Sequence, residues 1–297
     1  MAKNFTPRDL YQEVTDKIIA SLERGAAPWI RPWQDDKSGG FMPHNAISGK
    51  AYRGINVMLL LASPYASPAW LTYKQAAEHG GNVRKGEKGT MVVLWQFNKR
   101  TVKNDDGSET SKTVPLLRSY TVFNIEQCEG VKLPKRRNVV APVEPTEIDE
   151  MINGIGARIT YGGNRACYTP SLDLVSMPNR GAFVSMDAYH ATLLHELTHW
   201  TASPARLARD LSGRFGSASY AAEELIAELG SAFLCAELGV QIEKLQHADY
   251  IADWLRVLKS DKRAIFTAAK HATAAADYLA AAMGRREDAE TMAAEAA

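Results

Sequence analysis

Apolar residues recur on one helical face at Leu10, Val14, Ile18 and Leu22. That spacing predicts an amphipathic helix. Thr6 and Pro7 suit its N-cap and first turn, and Gly25 suits its C′ position. Residues 26–50 are rich in Pro, Gly and aromatics and read as an irregular ordered loop. Helical patterns follow at 53–62 and 72–79, the second stopped by Gly80-Gly81. Residues 90–97 (TMVVLWQF) are β-branched and aromatic and predict a strand. The run Asn104-Asp105-Asp106-Gly107 predicts a turn, and 119–124 the partner strand. Apolar periodicity resumes near Ile148. Short strands are expected at 157–161 and 173–176, and helices at 186–201, 219–238 and from 242 to about 283.

These patterns predict an α+β chain in two parts. Residues 129–147 hold three prolines, a Lys-Arg-Arg run and no aromatic residue, which reads as a linker. The expected division is a mixed α/β domain at 1–130, a linker at 131–147, a mainly helical domain at 148–285 and a frayed tail at 286–297. Charge follows the same division. Residues 1–140 carry 21 Lys and Arg against 13 Asp and Glu, a balance of +8, while the remainder carries 14 against 21, or −7. Such a sign change suggests two units with different partners.

A content of 45% apolar and 23% charged residues excludes wholesale disorder. No apolar run approaches the ~18 residues of a membrane span, and no secretory h-region opens the chain. The three cysteines, Cys128, Cys167 and Cys235, are far apart and form no C-x-x-C pair. They fit a reducing compartment, so a cytoplasmic protein without membrane partners is expected.

The run His195-Glu196-Leu197-Thr198-His199 is an H-E-x-x-H motif. On a helix, residues four apart share a face, so both imidazoles reach one metal ion. Glu196 then stands beside the ion, where it can act as general base toward an activated water. A third ligand is expected downstream, where Glu223, Glu224 and Glu228 lie on a helical stretch. Glu224 and Glu228 share a face, so either can bind the metal while the other orients a histidine. Tyr189 and Tyr220 are candidates to steady an oxyanion. Primase or nuclease chemistry would want a D-x-D cluster for two metal ions, and none stands out.

HELTHW, followed by RDLSGRFGSASYAAEELIAELGSAFL, resembles the zincin-type metallopeptidase domain of ArdC-type plasmid antirestriction proteins. The resemblance implies a zinc site of the gluzincin kind, with Glu224 as third ligand and Glu228 as its supporting partner or alternative. It also implies that the segment ACYTPSLDLVSMP supplies an edge strand along the cleft.

The first half interleaves aromatic and basic residues. Trp29, Trp33, Tyr52 and Tyr73 stand among Arg31, Lys50, Arg53, Lys74, Arg84, Lys85 and Lys88. Aromatics that stack on bases within a cationic groove suit sequence-tolerant binding of single-stranded DNA. PHNAISGKAYRGINVMLLL, AWLTYKQAAEHGGNVRKGEKGTMVVLWQF and FNIEQCEG are similar to the N-terminal domain that ArdC-type proteins share with some plasmid primases. That similarity implies a single-stranded-DNA-binding domain, in a protein of a conjugative element that shields incoming DNA from restriction. Two functions follow. In one, a zinc-dependent peptidase-like site acts on an unidentified protein substrate. In the other, the protein coats DNA, its metal is structural and no peptide is cut.

Overall fold

Asp9 starts the first helix: its carboxylate accepts the Gln12 backbone N–H at 3.1 Å. α1 (Leu10–Glu23) therefore begins later than the Thr6-Pro7 signal suggested. The computed structural model describes residues 8–30, 41–103, 109–134, 143–211, 213, 217–242 and 250–285. Thr6, Pro7, Arg31, Trp33, the Asn104–Gly107 turn, part of the expected linker and the expected tail lie outside them.

After α1 come β1 (His44–Asn45), α2 (Ile55–Leu61), β2 (Ala69–Leu71) and α3 (Tyr73–Glu78). Thr72 and Gln75 cap α3 reciprocally. β3 (Asn82–Val83) leads to β4 (Thr90–Lys103) and β5 (Glu109–Asn124), and β6 (Cys128–Glu129) pairs back onto β3. The larger sheet runs β1-β2-β5-β4, with β1 and β2 parallel and the other pairings antiparallel. β4 and β5 extend well beyond the expected strands. Past Phe97 the sequence of β4 turns polar, so the extension carries no hydrophobic period. At its inner end the side-chain amide of Asn56 seals the outer edge of β4. It donates to the Val93 carbonyl at 2.7 Å and accepts the Val93 N–H at 2.8 Å.

The second half opens with α4 (Pro145–Gly154), whose proline lies in the first turn, inside the expected linker. β7 (Arg158–Tyr161), β8 (Cys167–Thr169) and β9 (Leu174–Met177) form a sheet of order β7-β9-β8. β8 is an edge strand antiparallel to β9. α5 (Met186–Trp200), α6 (Ala218–Leu238), α7 (Ile251–Ser260) and α8 (Ala264–Ala282) follow. The chain is thus α+β, with a mixed first half and a mainly helical second half. Among the described residues, no helix is long and apolar enough to cross a membrane.

The halves share one core. Val14, Ile18, Trp29 and Val57 belong to the same buried cluster as Leu229, Trp254, Ile265 and Leu279. The rings of Trp29 and Trp254 meet edge to face at 5.7 Å. Around them Lys262 pairs with Asp9 at 2.6 Å and Lys259 with Glu23 at 2.7 Å. Both pairs are exposed and contribute little; the aromatic contact carries the junction.

Trp254→Ala is expected to cost about 3–5 kcal/mol, as for other large-to-small core changes. Calorimetry of the unaltered chain should show a single unfolding transition, lowered in this variant. Two separate transitions in the unaltered chain would mean that the shared core does not couple the halves.

Candidate metal centre

α5 carries His195, Glu196 and His199, all in contact with a cleft, and is buried along nearly its whole length. Ser185 caps its start by accepting the Ala188 N–H. α6 starts at Ser217, which accepts the Tyr220 N–H, and ends at Gly239 in the left-handed conformation. These helices lie unusually close. A Cβ on Gly230 would stand 2.6 Å from Cγ2 of Thr198 and 2.9 Å from its Oγ1. One residue on, the Ser231 hydroxyl donates to the Ala191 carbonyl at 2.8 Å.

That approach brings the carboxylates of α6 onto the imidazoles of α5. Oε2 of Glu224 stands 3.5 Å from Nε2 of His195 and 3.8 Å from Nε2 of His199. One donor atom from each of the three residues lies within 4.8 Å of the others. Ligands about 2.0–2.2 Å from a tetrahedral ion stand roughly 3.3–3.6 Å apart, close to this spacing. Two imidazoles and one carboxylate facing a cleft match the donor set of catalytic zinc sites. The residues present therefore fit a divalent metal.

The other imidazole nitrogens are held from behind. Nδ1 of His199 donates to Glu223 at 3.1 Å, and Nδ1 of His195 faces Glu228 at 3.4 Å. Glu224 thus meets the nitrogens that face the cleft, whereas Glu228 meets the back of one ring. Glu223 is itself clamped by buried Arg209, with contacts of 2.8 and 3.0 Å to its two oxygens. Arg209 also donates to the Thr201 hydroxyl and the Thr198 carbonyl, each at 2.8 Å, and so ties the clamp to the end of α5.

When no metal is bound, these carboxylates draw protons onto the histidines. Burial opposes charge on His195, but Glu224 and Glu228 outweigh it and raise its pKa to about 10. Burial likewise opposes charge on His199, yet Glu223 and Glu224 raise it to about 9. Burial pushes Glu224 up, but hydrogen bonds to both histidines bring it far below the usual carboxylate range. Glu223 is also lowered: His199 and then Arg209 overcome its burial. The site demands positive charge at the point where a metal would supply it.

The cleft has a volume of about 650 Å³. Glu196, 6% exposed, lines it beside the histidines. β8 contributes Cys167 and Tyr168 to the lining of the cleft. The Tyr168 hydroxyl donates to Asp173 at 2.9 Å, and Arg206 joins the same carboxylate. Arg206 stacks 3.7 Å over the Trp200 ring, tying this wall to the end of α5. Tyr220 lines the cleft, its hydroxyl 3.1 Å from that of Tyr250. Burial first, then Tyr250 and Glu224, raises the Tyr220 phenol well above its ordinary value. Tyr189 is fully buried, with its hydroxyl 3.3 Å from that of Tyr161.

The described aromatic and basic candidates of the first half differ in exposure and in partners. Trp29 is buried against Trp254 and offers no ring face to a base, so it leaves the set of candidate stacking residues. Tyr52 is half-buried against the cluster of Leu60, Trp70, Val92 and Val122. Arg53 is engaged by Asp277 of α8, and Lys74 pairs with Glu78 at 3.5 Å. Tyr73 is exposed and leans on Phe123, and Lys50, Lys85 and Lys88 are exposed. Arg84 pairs with Glu87 at 2.7 Å.

Sequence reasoning missed the clamp of Glu223 by Arg209 and the close approach at Gly230. A glycine inside a long helical pattern was the available signal for the second, since it weakens the helix unless packing needs it.

A model of zincin-like metallopeptidase domains matches residues 146–271, and one of the N-terminal domain of anti-restriction factor ArdC matches residues 8–123. The crystal structure of the metal-free antirestriction protein ArdC from plasmid R388 is 43% identical. It superposes with a TM-score of 0.79 over 94% of this chain and 100% of that one. Its Mn(II)-bound structure is 42% identical, with a TM-score of 0.75 and the same coverage. A DNA primase TraC of Escherichia coli is 41% identical over 92% of this chain, which spans 27% of that protein; for a second TraC the share is 20%. Protein y4eC of Sinorhizobium fredii is 42% identical over 92% of both chains.

Removing Glu223 would leave the Arg209 guanidinium buried without its counter-charge. Glu223→Ala is expected to destabilise the protein by about 3–5 kcal/mol in urea unfolding with chelator present. A loss under ~1 kcal/mol would show that the clamp is not a structural tie.

Proposed function

The chain belongs to the ArdC family of antirestriction proteins, and from that premise we propose that it shields the DNA of a conjugative element from restriction. In this reading its first half binds single-stranded DNA, and its second half holds one zinc ion in a metallopeptidase-like site. The observation that carries the metal assignment is the meeting of both cleft-facing imidazole nitrogens on one Glu224 oxygen. His195, His199 and Glu224 are the ligands, and Glu223 and Glu228 orient the two rings. The Mn(II)-bound relative supports a divalent metal; two imidazoles and a carboxylate favour zinc among the common ions.

A bound zinc ion would act as a Lewis acid on a carbonyl and would acidify water. Glu196 is left outside the ligand set yet inside the cleft, placed to take a proton there. Tyr220, beside Glu224, is the better placed of the two tyrosines to donate a hydrogen bond to a developing oxyanion. A peptide substrate would lie along the edge strand β8. The DNA reading draws on the match to the ArdC N-terminal domain and on exposed Tyr73, Lys85 and Lys88. We assign protection to the held DNA rather than to hydrolysis, because the basic first half offers a complete physical route to shielding it.

Metal analysis should find about one zinc per chain, lost in His199→Ala with a fall in melting temperature. Purified protein that carries no metal and gains no stability from Zn²⁺ would refute the site. Glu196→Gln should keep metal, fold, DNA binding and protection. Loss of protection with the other three intact would instead make hydrolysis the mechanism.

A further inference from the structure

The β4–β5 ribbon carries exposed apolar side chains on both faces. Val92 and Val122 are buried with Leu60 and Trp70. Outward from that point the same face carries Tyr120 at 45% exposure and Leu94 at 56%, with Arg118 opposite Leu94. Tyr65 packs against the base of this face, with Arg84 and Glu87 close enough to act on its phenol. The face therefore runs from the Arg84–Lys88 loop to the ribbon.

Its strand positions carry charge of one sign: Arg100, Lys112 and Arg118 are in phase with it and no acidic residue is, while Lys99 and Lys103 alternate onto the other face. Arg100 and Lys112 stand opposite each other in the register, in phase with Arg118. Arg118, Lys85 and Lys88 are exposed and have no ion-pair partner among the described residues. The other face is different. There Phe97 is 67% exposed, Trp95 leans on Tyr11 at 6.0 Å, and the nearby Arg8 is neutralised by Glu13. Unpaired Arg118 between a phenol ring and an aliphatic side chain, continued by Lys85 and Lys88 in the loop, matches the phosphates and base faces of a single strand. Around Trp95 and Phe97 the described side chains offer no unpaired cation.

We propose that single-stranded DNA lies along the Leu94–Arg118–Tyr120 face of the ribbon, with its phosphates continuing onto the Arg84–Lys88 loop. This rests on the DNA-binding reading above and says where the strand sits.

The test uses the full chain with zinc present and the anisotropy of a fluorescent oligo(dT) across a salt series. Tyr120→Ala should weaken binding roughly five- to hundredfold. Arg118→Ala should flatten the dependence of log affinity on log salt by about 0.7. Phe97→Ser should bind like the unaltered protein. Circular dichroism and metal content should stay unchanged in all three. If Tyr120→Ala and Arg118→Ala bind normally, or if only Phe97→Ser loses affinity, the placement is overturned while the DNA reading stands. If the unaltered protein does not bind the oligonucleotide, the DNA reading falls and the placement with it.

Discussion

Everything at the metal centre depends on how closely α5 and α6 approach at Gly230. A hydrogen in place of a methyl group lets α6 rest on the Thr198 side chain. The Ser231–Ala191 hydrogen bond then fixes the height of one helix against the other. Only at that separation can a glutamate on α6 reach two histidines one turn apart on α5. Fewer than two helical turns separate Glu224 from Gly230, a short, stiff lever, so the contact sets the carboxylate position directly.

The centre gathers buried charges that would be costly alone. Glu223, Glu224, Glu228 and Glu196 are all buried within reach of two histidines and one arginine. The three on α6 are tolerable because a particular donor answers each: Arg209 and His199 for Glu223, both imidazoles for Glu224, and the back of His195 for Glu228. The excess of acid over permanent base explains why the histidines hold protons so firmly when no metal is present. It also explains why a dication is the natural occupant, since it replaces those protons at the same place. The shared core around Trp29 and Trp254 also takes in buried residues of α6 and α8, so the helix that carries the carboxylates rests on it.

Much of this was legible in the sequence because helical spacing is a rigid ruler. His195 and His199 could be paired from their separation alone, and the α5 and α6 boundaries followed from apolar periodicity. Glu224 and Glu228 share a face, so spacing could not say which of them meets the cleft-facing nitrogens; only the relative height of the two helices distinguishes them. Arg209 was invisible because it acts from a loop whose path no periodicity records. In the first half, composition showed aromatic and basic residues but not their exposure. Trp29 proved to be core, while Tyr120 and Leu94 proved to be surface, because a two-stranded ribbon lacks the buried face that would reveal it in the pattern.

The most direct test of this account is the zinc affinity of Gly230→Ala, measured by calorimetric titration beside the unaltered protein. Alanine is a better helix former than glycine, so any loss must come from the spacing between helices and not from the helix itself. The account predicts retained helix content with zinc affinity lowered on the order of 10–100-fold, as when partners that orient metal ligands are lost. Unchanged affinity in a folded Gly230→Ala protein would contradict it.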